Sequence, residues 1–169
     1  MQKKVSYEEA IGLKYPEQVV ILLVKDAEGR CDPVTVGWTM IASAQPPMMA
    51  VALGKTRYSL EALRKKREFV IALPTAAQAE DALFFGSRSG RDTDKLAERR
   101  TKTLPAAAID GLLLADAMAN FECKMESETP TGDHVVVIGR VVASHMNANA
   151  NGSRLYTLGD GTMGGVKKA

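Results

Sequence analysis

Between Gly54 and Ser59 the sequence Gly-Lys-Thr-Arg-Tyr-Ser gathers two cations, Lys55 and Arg57, with the hydroxyls of Thr56, Tyr58 and Ser59. The segment follows an apolar run and precedes a helical one, and a helix N-terminus presents free N–H groups and the positive end of its dipole. Lys55, Thr56, Arg57 and Ser59 therefore suit a phosphate cradle, while a capped helix start with solvated charges explains the same residues. A second segment runs Gly86-Ser87-Arg88-Ser89-Gly90-Arg91-Asp92-Thr93-Asp94-Lys95. Its small residues admit close backbone approach and its cations can reach an anion, but it lacks the Gly-Lys-Ser/Thr ending of a P-loop, and a surface loop is the competing explanation. The third candidate is Gly132-Asp133-His134, which sets an imidazole at the entry to an apolar strand. Histidine is the side chain best able to change protonation or polarise a substrate near neutral pH. His145 shows no partner nearby in sequence and reads as structural.

Other chemistries lack support. Gly159-Asp160-Gly161-Thr162-Met163-Gly164 matches a dinucleotide fingerprint as a string, yet only five residues follow it in this sequence. Neither the helix nor the later acidic residue that gives that motif its mechanism is expected. No Ser or Cys nucleophile sits in a recognisable motif, and the Cys and His spacing predicts no metal site.

Elements must hold these segments in place. Val19 to Lys25 is β-branched and Leu-rich, Asp26-Ala27-Glu28-Gly29 is turn chemistry, and a strand resumes at Val34, so a hairpin is expected. From Val34 to Ile41 the residues alternate, with Val34, Val36, Trp38 and Met40 on one side and Thr35, Gly37 and Thr39 on the other. That predicts one strand with an apolar face and a small polar face. Pro46-Pro47 interrupts pairing before a further strand from Met48 to Leu53. Leu60 and Leu63 have helical spacing amid charges, and Ser59 is the expected N-cap. Phe69 to Leu73 reads as a strand ended by Pro74. Thr75 and Gln78 form a capping-box pattern opening a helix through Phe85, with Gly86 its expected stop. Arg88 to Lys102 is dense in charge and expected as an exposed connector. Asn120 to Glu126 and His134 to Ala143 are strands, the second with valines or isoleucine on both sides and expected to be buried on both. Short strands joined by turns, two or three short helices and no βαβ alternation predict an antiparallel, mainly β barrel decorated by helices.

The 169 residues fit one domain, 1–169. A hydrophobic share of 46% with 25% charged residues argues against disorder. A formal net charge of +2 predicts no nucleic-acid partner. The longest apolar run, Val19 to Val24, is far below the ~20 residues that cross a bilayer. The polar N-terminal stretch lacks a secretory core, so no membrane partner and a cytoplasmic location are expected. Cys31 and Cys123 fit buried thiols in a reducing compartment. Asn151-Gly152-Ser153 matches a glycosylation acceptor only as a string.

The blocks occur in an order that has a counterpart. Thr35-Val36-Gly37-Trp38-Thr39, Pro46 through Ser59, Phe69 through Pro74, Gly86 through Lys95, and Gly132-Asp133-His134 with Gly139 together resemble the flavin reductase-like family. The resemblance runs from about Pro16 to His145 and is closest to the flavoredoxin-type branch. It implies an FMN-binding split β-barrel that forms a homodimer. It also implies that Gly37, Trp38 and Thr39 lie along the isoalloxazine ring, although Trp38 also suits a core or dimer-interface aromatic. Lys55, Thr56, Arg57 and Ser59 would hold the FMN phosphate, and Ser89, Arg91 and Lys95 would approach the cofactor. His134 would sit on the nicotinamide side as the residue closest to catalysis, and Tyr156 is matched to an aromatic that flanks the flavin in some relatives. The implied activity is hydride transfer from NAD(P)H to FMN, with electrons passed to a small-molecule or protein acceptor. A flavoredoxin-like carrier reduced by a protein partner and a non-catalytic split-barrel binding protein are the alternatives.

Overall fold

The structure, a computed structural model, describes residues 1–149 and 152–166; Asn151 of the glycosylation string lies outside them. A short helix, α1 (Tyr7–Ile11), precedes β1 (Glu17–Gln18) and β2 (Val20–Lys25). The expected hairpin turns at Asp26, whose Oδ1 accepts from the backbone N–H groups of Glu28 and Arg30, and returns as β3 (Cys31–Val36). The single strand expected from Val34 to Ile41 is instead two, because the chain leaves β3 at Gly37-Trp38 and restarts as β4 (Thr39–Ala44). Val34 and Val36 point into the core, whereas Trp38 and Met40 are exposed. A turn at Gln45-Pro46 leads to β5 (Pro47–Gly54).

The main sheet has seven antiparallel strands in the order β3-β2-β6-β9-β10-β5-β4, with β6 at Glu68–Leu73, β9 at Ala119–Thr131 and β10 at His134–Met146. Its two edge strands, β3 and β4, are consecutive in sequence and joined by only Gly37 and Trp38. The sheet must therefore curl until its edges meet without pairing, which makes a split barrel. Gly139 marks a bulge between β9 and β10, where a side chain would run into the Phe69 ring and Cys123.

Strand β2 is buried on both faces, and period-2 alternation sorts its residues into two cores. Val20, Leu22 and Val24 face the barrel interior with Val51, Phe69, Val135 and Val137, and α2 (Tyr58–Lys66) closes one end with Leu60 and Leu63. Ile21 and Leu23 face outward with Val19, against Ala82 and Phe85 of α3 (Ala79–Ser87). Each such aliphatic or aromatic side chain contributes about 1.5–3 kcal/mol of burial free energy. Two smaller sheets complete the fold: β7 (Thr103–Pro105) with β8 (Leu112–Leu114), and β1 with β11 (Arg154–Thr157) and β12 (Met163–Val166).

Several expectations are corrected. Only one face of β10 is buried: Val135 and Val137 are enclosed, while Val136, Ile138 and Val141 are half-buried and Val142 is exposed. Strands β9 and β10 are long, at 13 residues each. Gly86 does not stop α3 but lies in its last turn, facing Thr35. The charged stretch from Arg88 is not a plain exposed connector, because it contains α4 (Lys95–Arg99) and the buried Lys95. The fingerprint string at Gly159 to Gly164 covers the hairpin tip between β11 and β12 and the first two residues of β12, with Thr162 N–H donating to Asp160 Oδ1.

Candidate functional site

Two adjoining compartments form a groove along the free edge of β3. The inner one, about 150 Å³, lies between Val34 to Trp38, Ala52 to Gly54, and His134. The outer one, about 470 Å³, lies between the first turn of α2 and the loop that follows α3. Val34 and Arg57 line both, so the groove is continuous from Trp38 to Arg91.

The outer end is cationic and rich in hydroxyls. Thr56, Arg57, Ser87, Arg88, Ser89 and Arg91 line it, with Asp92 as the one acid besides Asp32. The Arg57 guanidinium spans the compartment and donates to the Gly86 carbonyl at 3.0 Å. Arg91 lies over the Tyr58 ring, 5.1 Å from its centroid, and pairs with Glu61 at 2.9 Å. The hydrogen bonds from Arg91 and Lys65 hold the Glu61 carboxyl below the usual carboxylate range. Ser89 Oγ accepts from Arg91 N–H and so shapes the loop.

Behind this wall sits a buried cluster centred on Asp32. Ser59 Oγ donates to Asp32 Oδ2 at 2.6 Å, and Lys95 Nζ lies 2.6 Å from Asp32 Oδ1. Lys95 also donates to the carbonyls of Phe85 and Arg88 at 3.3 and 3.4 Å. Any side chain at Gly90 would collide with the Asp32 carboxylate, so glycine is required there. Asp32 thereby ties together the start of α2, the Ser87 to Gly90 turn and α4. Ser59 is not the N-cap: Arg57 holds that position without a side-chain cap, and Ser59 lies one residue inside the helix.

The inner end is aromatic and carries the histidine. The Trp38 and His134 rings are 4.5 Å apart and inclined at 40°. His134 Nδ1 lies 2.8 Å from Asp133 Oδ1, and this hydrogen bond holds the Asp133 carboxyl below its ordinary range. With Nδ1 donating to the carboxylate, Nε2 remains free toward Gly54 and Arg57. Trp38 is 52% exposed, so it belongs to the groove mouth rather than the monomer core.

The structure thus brings Gly37, Trp38, Arg57, Thr56, Ser89, Arg91 and His134 onto one groove, with Ser59 and Lys95 in the buried cluster directly behind it. Lys55 is not brought to the cationic end: its Nζ donates to the Gly132 carbonyl at 2.6 Å and supports the turn before His134. Thr39 lies just past the groove, its hydroxyl donating to the Ala50 carbonyl. Tyr156 lies on β11 opposite Gln18, beside Arg154, and lines neither compartment. Ser87 and Arg88 belong to the second candidate segment without having been singled out, and sequence reasoning missed Asp32, for which an acid within a strand of mostly apolar residues was the signal. His145, expected without a partner nearby in sequence, pairs through Nε2 with the fully buried Glu122 at 2.6 Å and lines neither compartment. Among the described residues no group of three or more His, Cys, Asp or Glu side chains could hold a metal, and no helix is long and apolar enough to cross a membrane.

A cationic, hydroxyl-rich end joined to a narrow slot along an unpaired strand edge fits a phosphorylated planar heterocycle. The arginine fork matches phosphate, and the unpaired β3 backbone can hydrogen-bond a ring edge. The residues present therefore fit FMN. Residues 12–164 match the flavin reductase like domain, and the chain belongs to the flavin reductase-like family. It is 34% identical over 152 residues to the NADH-dependent FMN reductase AsuE2 of Streptomyces nodosus subsp. asukaensis, covering 90% of this chain and 80% of that protein. Flavoredoxin of Desulfovibrio vulgaris (Miyazaki F) superposes with a TM-score of 0.86 at 20% identity, covering 100% of this chain and 95% of the other. An FMN-binding protein from Thermus thermophilus superposes with a TM-score of 0.85 at 23% identity, covering 100% and 99%. The fold is the FMN-binding split barrel expected from the sequence.

Proposed function

We propose that residues 1–169 form a single flavin reductase-like domain that binds FMN in this groove, accepts hydride from NAD(P)H and passes electrons to an acceptor. The observation that carries the reading is the continuity of the groove, from the arginines at one end to the Trp38 and His134 pair at the other. Bound FMN would supply the redox chemistry, so the protein needs only to bind, orient and exclude water. Arg57, Arg88 and Arg91 hold the phosphate, assisted by Thr56, Ser87 and Ser89. The β3 edge through Gly37 receives the ring, and Trp38 and Thr39 border it. Ser59 and Lys95 act through Asp32 by fixing the walls. His134, oriented by Asp133, presents Nε2 to the nicotinamide side and positions the donor.

The half-exposed Trp38 at the groove mouth, with exposed Met40 and Ile41 on the adjoining edge strand, supports a homodimer formed across that face. Two free cysteines support a reducing, cytoplasmic setting. The test is an anaerobic absorbance spectrum of protein with FMN before and after NADH, then NADPH. Bleaching of bound flavin within seconds supports the reductase and identifies the donor. Bound flavin that stays oxidised assigns the protein to carriers reduced by a protein partner, and absence of FMN binding leaves only a non-catalytic barrel.

A further inference from the structure

The opposite end of the barrel from α2 is an unfinished core. The partly buried hydrophobic residues packed against the interior cluster, Met49, Leu73, Phe121 and Val141, all line one cavity of about 450 Å³. Close-packed interiors hold few voids larger than a water molecule, so a space of this size is a pocket rather than a packing defect. It falls in the roughly 300–1,000 Å³ range of small-molecule sites. It shares no lining residue with either compartment of the flavin groove.

One charge enters it. Arg154 is the only ionisable residue of the lining, and it has no carboxylate within ion-pair distance among the described residues. Its Nη2 donates to Gln18 Oε1 at 2.7 Å, while Nε is buried with no acceptor among the described residues. Gln18 cannot turn to relieve this, because its Nε2 is engaged with the Thr39 carbonyl at 3.0 Å. Arg154 as a residue is half-buried, but a buried guanidinium N–H without an acceptor is costly until one meets it, and the planar fork matches a carboxylate. A single cation in apolar walls does not suit a phosphate or a nucleotide. Flexible methionines adapt to an aliphatic or aromatic body.

We propose that this cavity is a second binding site, for small apolar carboxylates, with Arg154 as the partner of the carboxylate and Met48, Met49 and Phe121 around the apolar body. The proposal rests on none of the flavin reading; Met40 and Ile41, which also carry the dimer reading, border the cavity, so the site requires that the cavity stay open in the dimer. The test is calorimetric titration of the full chain with octanoate and, separately, with octanol, followed by NMR of the protein labelled at its methionine methyl groups. Octanoate is expected to bind at least about tenfold more tightly than octanol, because the charge-assisted pair exists only for the anion. It should shift the Met48 and Met49 methyl signals, and R154M should reduce its affinity to that of octanol while leaving FMN affinity unchanged. Equal binding of the two probes, shifts confined to methionines other than Met40, Met48 and Met49, or octanoate binding that requires dissociation of a dimer, as when a second copy fills the pocket, would overturn it. The octanoate to octanol comparison uses unaltered protein and decides even if R154M does not fold.

Discussion

Lys95 Nζ and Asp32 Oδ1 lie 2.6 Å apart with side chains only 1% and 4% exposed, an ion pair sealed behind the wall of the flavin groove. Its charge is spent on Asp32 and on the carbonyls of Phe85 in the last turn of α3 and Arg88 just beyond it, so Lys95 sets the position of the Ser87 to Gly90 turn instead of meeting a phosphate. Removing one partner of a buried pair leaves the other uncompensated, which costs about 3–5 kcal/mol. Lys95→Met is expected to lose stability of that order in urea unfolding, and the double variant with Asp32→Asn to recover part of it. Additive losses in this double-mutant cycle would mean that the two side chains act independently.

Arg57 bridges the start of α2 and the end of α3, whereas Lys55 points to the turn before His134. Arg57→Ala is expected to weaken FMN binding roughly ten- to a hundredfold, the usual cost of losing a charge-assisted pair with a phosphate. Lys55→Ala should change it by less than about threefold, as expected for an exposed cation with no ligand contact. Flavin fluorescence quenching measures both, and the reverse ranking would return the phosphate to Lys55.

What could be read from sequence was local. The β-branched, Leu-rich run of Val19 to Lys25, the Pro74 stop and the Thr75 and Gln78 capping box each express their outcome within a few residues, and all appear in the structure. The break at Gly37-Trp38 was hidden because the alternation continues through it; only curling of the sheet separates β3 from β4. The Ser59, Asp32 and Lys95 cluster was hidden for the same kind of reason. Its members come from three elements, so Ser59 looked like a helix cap and Lys95 like a surface charge until the fold brought Asp32 between them.

His134 is held by Asp133 on one side and stacked on Trp38 on the other, with no direct role at the phosphate end. His134→Ala is expected to leave FMN affinity within about twofold while slowing reduction by NADH roughly tenfold or more, the scale of a lost positioning interaction. Stopped-flow measurement of flavin bleaching decides this. An unchanged rate would make the imidazole a structural partner of Trp38 alone.

The Cys31 and Cys123 thiols are both pushed up to about 12, chiefly by burial, with the Asp32 carboxylate adding to the effect at Cys31 and Glu122 at Cys123. Only the thiolate is nucleophilic, and at pH 8 its fraction would be on the order of 10⁻⁴. Iodoacetamide is expected to leave the native protein unmodified over an hour and to label both residues in denaturant, as read by mass spectrometry. Rapid native labelling of Cys31 would show that its strand edge opens.

Glu122 supplies the pH dependence. Burial alone would raise its pKa, but hydrogen bonds from the Ala107 and Ala108 N–H groups, then His145, outweigh it and hold the carboxyl below its ordinary range. A third N–H, from Ile109, also donates to it. A carboxyl whose pKa is depressed by folding stabilises the native state fully above its unfolded pKa, about 4.3, and loses that contribution as pH falls through the folded value. Glu122→Gln keeps the shape and removes the charge. The variant should therefore be less stable than the parent at pH 7, and the gap should narrow as urea unfolding is repeated at pH 5, 4 and 3. A gap independent of pH would mean that the amide loses packing or hydrogen bonds and that the Glu122 charge itself does not stabilise the fold.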